Sequence, residues 1–452
     1  METILVFLIS AVSLLAISYM LIKKHDIKIS LFAIGLILLY VAQLLGHPIL
    51  EKPSHFLLDP ITVIVNQLGD TLSGAGLVIL ILGGYSAYMT AIGANDMTVR
   101  MLTKPLVYIK SPYILVPVVF LLGNLLSLVI PSASNLAIIL IATLFPVLRK
   151  SGMSNLTAAA VIATTATIMP TPLGSDNVAV AEALGISVSE YVFSSHAIIS
   201  IPTLFVMALV HMVWQKYCDS KEKNMAIIEV SETQETVKSF SVLYAILPLL
   251  PILILLASFI LNLFGIVLPL TVVSVTIISF IITLFIELLR NKETKETLAK
   301  SDKFFKGMGS AIDIVMLLVA ASTFVNGLKG IGLITILQET MTKTSSSGVL
   351  LPIILVIFSA IIVLLSGSGT ALFFAMVPLL VPLAESAGIS PVALSVPLGL
   401  AGNLFRAVSP VSAVILIVAG ATKEDPIKLV KRTAIPMCVG VLFMMILSLM
   451  IF

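Results

Sequence analysis

Four short polar segments interrupt otherwise apolar sequence, and they hold most of the side chains that could do chemistry. They are Pro131-Ser132-Ala133-Ser134-Asn135, Pro170-Thr171-Pro172-Leu173-Gly174-Ser175-Asp176-Asn177, Ser366-Gly367-Ser368-Gly369-Thr370 and Arg406-Ala407-Val408-Ser409-Pro410-Val411-Ser412. Proline removes a backbone donor and frees a carbonyl one turn earlier. Glycine lets backbone approach a ligand closely. A helix broken there offers free N–H groups and a positive dipole end to an anion, and free carbonyls to a cation. A single break of this kind is commonly a packing kink, since small and hydroxyl residues also serve helix contacts in membranes. Four breaks at matching places point instead to a binding site. The expected ligand contacts are Ser132, Ser134 and Asn135, then Thr171, Gly174, Ser175 and Asn177. The second half of the chain adds Ser366, Gly367, Ser368, Gly369 and Thr370, with Arg406, Ser409 and Ser412.

Arg406 stands out because it is the one cation that the span assignment below leaves inside a span. Burying it in a bilayer costs at least ~2.5–3.5 kcal/mol on insertion scales, so such residues usually mark substrate pathways. Its fork matches a carboxylate. Asp176 is the available ion-pair partner if Arg406 is structural. Asp176 could equally ligate Na⁺, carry a proton, or cap a helix beginning at Val178. A Na⁺ ion would lie near Asn135, Asp176 and Thr370. Asp313 reads as a first-turn acid favoured by a helix dipole. His196 and His211 share one span and sit nearer its ends than its centre, which favours structural roles. Trp214 with Tyr217 fits an interfacial anchor. Cys218 and Cys438 read as packing residues, with no metal or disulfide spacing. No nucleotide-binding P-loop and no His-Glu-x-x-His zinc pattern is present. The glycines around Ser368 suit a hairpin tip better than an intramembrane serine nucleophile.

The elements that position these segments follow from composition. The chain has 452 residues, 59% hydrophobic and only 11% charged. Soluble domains are about 25% charged, so a soluble enzyme or nucleic-acid binder is excluded. Ten full spans are expected, at 2–22, 28–46, 72–94, 154–185, 190–214, 242–263, 266–289, 308–328, 389–418 and 432–452. Two more apolar stretches, 112–149 and 348–384, are too long for one crossing and are cut by polar tips, so each is expected to be a re-entrant hairpin. The N-terminus lacks a basic region and cleavage site, and 2–22 reads as a retained helix.

With the loop bearing Lys23, Lys24 and Lys28 placed in the cytoplasm, all 26 lysines and arginines fall inside except Lys52, Lys329, Lys343 and the intramembrane Arg406. Both termini then lie outside the cytoplasm. The halves also align. Ser132, Ser134 and Ala137 match Ser366, Ser368 and Ala371, Pro146, Gly152 and Ser154 match Pro382, Gly388 and Ser390, and Pro172 matches Pro410. Each half has an odd number of crossings, so the second is inserted upside down. The fold class expected is an all-α polytopic membrane protein of two inverted-topology repeats. It has about ten transmembrane helices, two re-entrant hairpins and helices broken at the midplane. The first repeat covers 1–215, with hairpin 112–149 and broken helix 154–185; a cytoplasmic linker covers 216–240. The second repeat covers 241–452, with hairpin 348–384 and broken helix 389–418.

The residues Pro131–Ala137, Thr171–Ala179, Ser366–Leu372 and Arg406–Ala419, followed by Val430-Lys431-Arg432-Thr433-Ala434, resemble the DcuC family of anaerobic C4-dicarboxylate carriers. The resemblance covers nearly the whole chain. It implies a secondary carrier of succinate, fumarate or malate type substrates in a bacterial inner membrane, working by exchange or ion-coupled transport. The wider ion-transporter superfamily carries a Ser-Asn-Thr signature at its hairpin tips. Here the tips read Ser134-Asn135-Leu136 and Ser368-Gly369-Thr370, leaving fewer oxygens for Na⁺. The expected partners are a dicarboxylate, the lipid bilayer and, as an open option, a second copy in a homodimer. Nucleic acid is not among them. No cofactor is expected beyond Na⁺ or H⁺ as coupling ion, and transport would follow an elevator-like cycle. The rival readings are a carrier of the same fold for another carboxylate, an amino acid or short-chain acid, and an intramembrane serine hydrolase.

Overall fold

A computed structural model describes residues 2–109, 111–130, 132–222, 242–290, 294–336 and 350–452. Most of the linker 216–240, Pro131 of the first tip, and the cations Lys110, Lys223, Lys238, Lys292 and Lys343 lie outside the described residues.

The described chain is helical. In order, the helices are α1 (Glu2–Ile22), α2 (Ile27–Leu44), α3 (Asp59–Ala91), α4 (Ala94–Thr103), α5 (Pro112–Leu126), α6 (Ala133–Thr143), α7 (Phe145–Lys150), α8 (Asn155–Ala163) and α9 (Ser175–Leu184). There follow α10 (Val188–Lys221), α11 (Val242–Leu263), α12 (Val272–Arg290), α13 (Thr294–Gly330), α14 (Leu350–Ser366), α15 (Gly369–Ala387), α16 (Pro391–Arg406), α17 (Ala413–Thr422) and α18 (Pro426–Ile451). Among the described residues, 9 helices are long and apolar enough to cross a membrane. Eight of them correspond to expected spans, and α15 is the ninth.

The difference from ten has a local cause. The stretches 154–185 and 389–418 are each two short helices around an irregular segment, α8 with α9 and α16 with α17. The stretches 112–149 and 348–384 are likewise cut at their polar tips, α5 from α6 and α14 from α15. Serine side chains cap the new starts: Ser132 Oγ accepts from Asn135 N and Ser412 Oγ from Ile415 N. Two boundaries also move. The helix expected from residue 72 begins at Asp59 and passes through a π turn at Leu72–Gly76. The helix expected from residue 308 begins at Thr294, because the charged stretch before it stays helical. Asp313 therefore lies mid-helix rather than in a first turn, where it pairs with Lys28 at 2.8 Å.

α13 lies against α2 and α3 through small residues. A Cβ on Gly35 would sit 2.7 Å from Phe324 N, and one on Gly307 2.6 Å from the Gly83 carbonyl. Such close backbone approach is how helices associate where lipid removes the hydrophobic drive. The outward faces stay apolar; Ile4, Leu8, Val12 and Leu15 on α1 are exposed, as a lipid-facing surface requires.

Candidate functional site

The first break begins earlier than its prolines. α8 ends at Ala163, and the run Thr164-Thr165-Ala166-Thr167 already leaves the helix. Its hydroxyls bond back to the preceding turn, as Thr164 Oγ1 does to the Ala160 carbonyl at 3.0 Å; such bonds compete with helix continuation. Asn124 on α5 straps the loop. Its Oδ1 accepts from both Thr167 N and Thr167 Oγ1, at 2.9 and 2.8 Å, while its Nδ2 donates to the Phe120 and Thr164 carbonyls. Ala166 is held at φ +55, a backbone state costly for a residue with a Cβ. This turns its carbonyl to Arg406, whose Nη2 donates to it at 2.8 Å.

α9 then restarts at Ser175. Asp176 in its first turn accepts from Asn177 N at 2.9 Å and from Asn403 Nδ2 at 3.5 Å. Gly174 leaves room for this carboxylate, since a Cβ there would sit 2.5 Å from Asp176 Oδ1. Asn177 is turned inward and donates to the Thr171 carbonyl at 2.9 Å.

On the other side, the second tip packs onto the second broken helix. A Cβ on Gly367 would meet the Val411 carbonyl at 2.7 Å, and one on Gly369 the Gly402 carbonyl at 2.2 Å. Gly367 also adopts φ +76. Ser409 Oγ donates to the Leu364 carbonyl at 2.9 Å, which ties the loop after α16 to α14.

These segments enclose a cavity of about 110 Å³, below the ~300–1,000 Å³ usual for drug-sized ligands and suited to a small one. Of the expected contacts, Thr171, Gly174, Ser175, Asp176, Thr370 and Arg406 line it. Ser132, Ser134, Asn135, Asn177, Ser366, Gly367, Ser368, Gly369, Ser409 and Ser412 lie off its wall. For the second tip the reason is the packing just described, which turns its glycines to protein backbone. The wall also includes Ser127, Thr167, Phe373 and Asn403, which the sequence reading did not single out. Asn403 precedes Arg406 by one turn, and Asn124 interrupts an apolar hairpin arm; both were visible as polar residues in apolar helices.

Electrostatically the cavity presents the Arg406 guanidinium, the Asp176 carboxyl and the starts of α9 and α15, whose free N–H groups favour an anion. Among the described residues Arg406 makes no ion pair with Asp176. Its charge is left facing the cavity. A larger cavity of about 430 Å³ lies between α3, α9, α13 and α15. It carries Asp70, Glu182 and Glu385 against the single Lys329, a balance that repels an anion. No cluster of metal-ligating side chains occurs among the described residues. Ser368 has no histidine partner there either, and its N–H donates to Ser366 Oγ at 3.2 Å.

A second arginine is buried, near the start of the last helix. Arg432, assigned from sequence to the cytoplasmic loop, lies inside α18 and is 2% exposed. It ion-pairs with Asp219 and Glu222, both at 2.7 Å. Of the two buried arginines among the described residues, Arg406 is the one with no carboxylate within ion-pair distance.

The matches to known proteins agree with this chemistry. Residues 3–452 match the family described as DcuC, C4-dicarboxylate anaerobic carrier. The chain is 36% identical over 462 residues to the Anaerobic C4-dicarboxylate transporter DcuC of Escherichia coli K12, covering 99% of this chain and 96% of that protein. A Vibrio cholerae relative described as "Probable anaerobic C4-dicarboxylate transporter DcuC" is 34% identical over 97% of this chain and 96% of its own length. Two solved transporters share the fold. MtrF of Neisseria gonorrhoeae, described with a class of antimetabolite efflux pumps, superposes with a TM-score of 0.63 at 15% identity over 93% of this chain and 94% of its own. YdaH of Alcanivorax borkumensis does so with a TM-score of 0.59 at 16% identity over 94% and 98%. The protein is thus a multi-pass membrane transporter rather than an enzyme, and it belongs to the DcuC family of C4-dicarboxylate anaerobic carriers.

Proposed function

We propose that the chain is a secondary carrier of C4-dicarboxylates of the succinate, fumarate or malate type across a bacterial inner membrane. The observation that carries this reading is the small cavity between the two breaks, where Arg406 faces Thr171, Ser175 and Thr370 with no carboxylate paired to it. A dianion cannot be desolvated uncompensated. In this reading Arg406 takes one carboxylate. The second is held by the hydroxyls and free N–H groups at Thr171–Ser175 and Thr370.

The two halves act as inverted repeats, with the tips and broken helices moving as one unit against α2, α3 and α13. Asp176 and Asn403 beside the ligand are the candidate place for a coupling Na⁺ or H⁺. The family and the relatives' described substrates support the choice of C4-dicarboxylate over another carboxylate.

The test is radiolabelled succinate exchange in proteoliposomes, with and without internal fumarate, with Na⁺ replaced by choline and at several pH values. Counterflow driven by fumarate is expected. Transport of glutamate or acetate with no response to succinate would assign the carrier to another carboxylate. Loss of transport in choline at every pH would select Na⁺ over H⁺.

A further inference from the structure

The wall that holds Arg406 is itself held from behind. Thr164, in the same irregular segment as Ala166, places its Oγ1 3.0 Å from His211 Nε2 on α10. The other ring nitrogen, Nδ1, is 3.2 Å from Gln215 Nε2. Gln215 continues the contact to α18: its Nε2 donates to the Arg432 carbonyl at 2.9 Å, and its Oε1 accepts from Arg432 Nη1 at 3.2 Å. Arg432 then pairs with Asp219, which also accepts from Thr157 and Ser154 at the start of α8. Thr164, His211 and Gln215 are each 0% exposed.

Hydrogen-bond arithmetic fixes the state of the imidazole. An amide nitrogen can only donate, so Nδ1 must be the acceptor and Nε2 must carry the proton. Thr164 Oγ1 then accepts from Nε2–H and sends its own hydrogen to the Ala160 or Val161 carbonyl, both at 3.0 Å. Every group is satisfied only if His211 is neutral. A proton added at Nδ1 would face the Gln215 amide N–H. Turning that amide round to accept it would set its N–H₂ against the Arg432 guanidinium and break both contacts of the Gln215 amide with Arg432.

We propose that His211 is a positioning residue for the ligand cavity, acting through Thr164 and the Ala166 carbonyl on Arg406, and only as the neutral Nε2–H tautomer. Its protonation undoes the link between the first break, α10 and α18. The groups in contact with it are Gln215 on α10, Thr164 at the end of α8 and the uncharged Phe120 ring on α5, 5.6 Å away; the charged Arg432 on α18 and Asp219 on α10 are reached only through Gln215. Arg432 is already saturated by Asp219 and Glu222, so neither carboxylate is free to stabilise an imidazolium.

The proposal rests on the dicarboxylate reading for its ligand but not for its second readout. Glutamine can reproduce the Nε2–H donor and cannot titrate; leucine supplies neither. In proteoliposomes from pH 5.5 to 8, His211→Gln should keep a KM for succinate within about threefold of the parent at every pH, because the contacts described hold the ring neutral across that range. Both proteins share the titration of succinate itself, so the difference isolates His211. His211→Leu should raise KM at least tenfold throughout while leaving kcat within about threefold.

The second readout needs no substrate. In a background with Cys218→Ser and Cys438→Ser, a cysteine replacing Met169 on the cavity wall is alkylated. His211→Leu should change the alkylation rate at least tenfold relative to the parent, and His211→Gln by less than about threefold. A KM in His211→Gln raised as far as in His211→Leu, or a parent-like alkylation rate in His211→Leu, would overturn the proposal, as would a parent-like KM in His211→Leu. If His211→Leu does not fold, His211→Ala, which also lacks the donor, is read in its place against His211→Gln. If succinate is not transported at all, the substrate reading fails and the alkylation ratio still decides this one.

Discussion

At the scale of single residues, the cavity works by withholding partners. Arg406 gives one hydrogen bond to a backbone carbonyl and none to Asp176, so most of its five donors remain for a ligand. Had the two formed a close ion pair, a dianion would have to break it before reaching the guanidinium. Arg406→Lys keeps the charge but loses both the fork and the geometry toward Ala166. Calorimetry on purified protein should find succinate binding weakened at least about tenfold, ~1.4 kcal/mol, by Arg406→Lys and lost with Arg406→Ala. Parent-like binding by Arg406→Ala would remove the guanidinium from the ligand. Sequence was enough to select Arg406, Asp176 and Thr370, because a charge or hydroxyl in an apolar run is visible without coordinates. It was not enough to see Ala166, whose role is one carbonyl in an unusual backbone state. It also did not show that Arg432 is buried and paired, since a cation near a span's end looks solvated until Asp219 is brought to it by the fold.

At the scale of elements, the polar breaks were legible and their contacts were not. Alternation of apolar runs with Pro, Gly and Ser marked where helices stop, and all four interruptions occur close to those places. Which surface each tip turns to depends on packing between segments far apart in sequence. The second tip shows this. Its glycines were expected at the ligand, yet Gly369 and Gly402 lie backbone to backbone, and Gly367 lies on Val411 and Ser412. Gly369 is therefore required by contact between the hairpin and the broken helix. Adding one methyl there must push two helices apart, a change of the overpacking class that costs typically about 1–3 kcal/mol. Gly369→Ala should lower the thermal midpoint and impair transport, whereas Gly420→Ala on α17, where no atom lies within 4 Å of the added carbon, should do neither. Equal melting of both variants and the parent would show that the tip does not pack as described.

At the scale of the whole molecule, the open question is which helices cross the bilayer, and length decides where the hairpin reading is most exposed. α5 has 15 residues and α6 has 11, so at about 1.5 Å per residue neither spans a ~30 Å core. α14 has 17 residues, but α15 continues for 19 and by length alone could cross. If α15 did cross, α16, α17 and α18 would each be turned over. Lys423, Lys428 and Lys431 would then face outward against the charge bias that places cations in the cytoplasm. The cost of that inversion argues for a second re-entrant hairpin and for both termini outside. Single cysteines in a background without Cys218 and Cys438, probed with an impermeant thiol reagent on right-side-out and inverted vesicles, can decide it. Cysteines at Ser111 and Arg149 should both react from the cytoplasmic face, and those at Leu350 and Glu385 both from the opposite face. Reaction of Leu350 and Glu385 from different faces would make α15 a full crossing and end the inverted-repeat reading, even if the first pair behaved as expected.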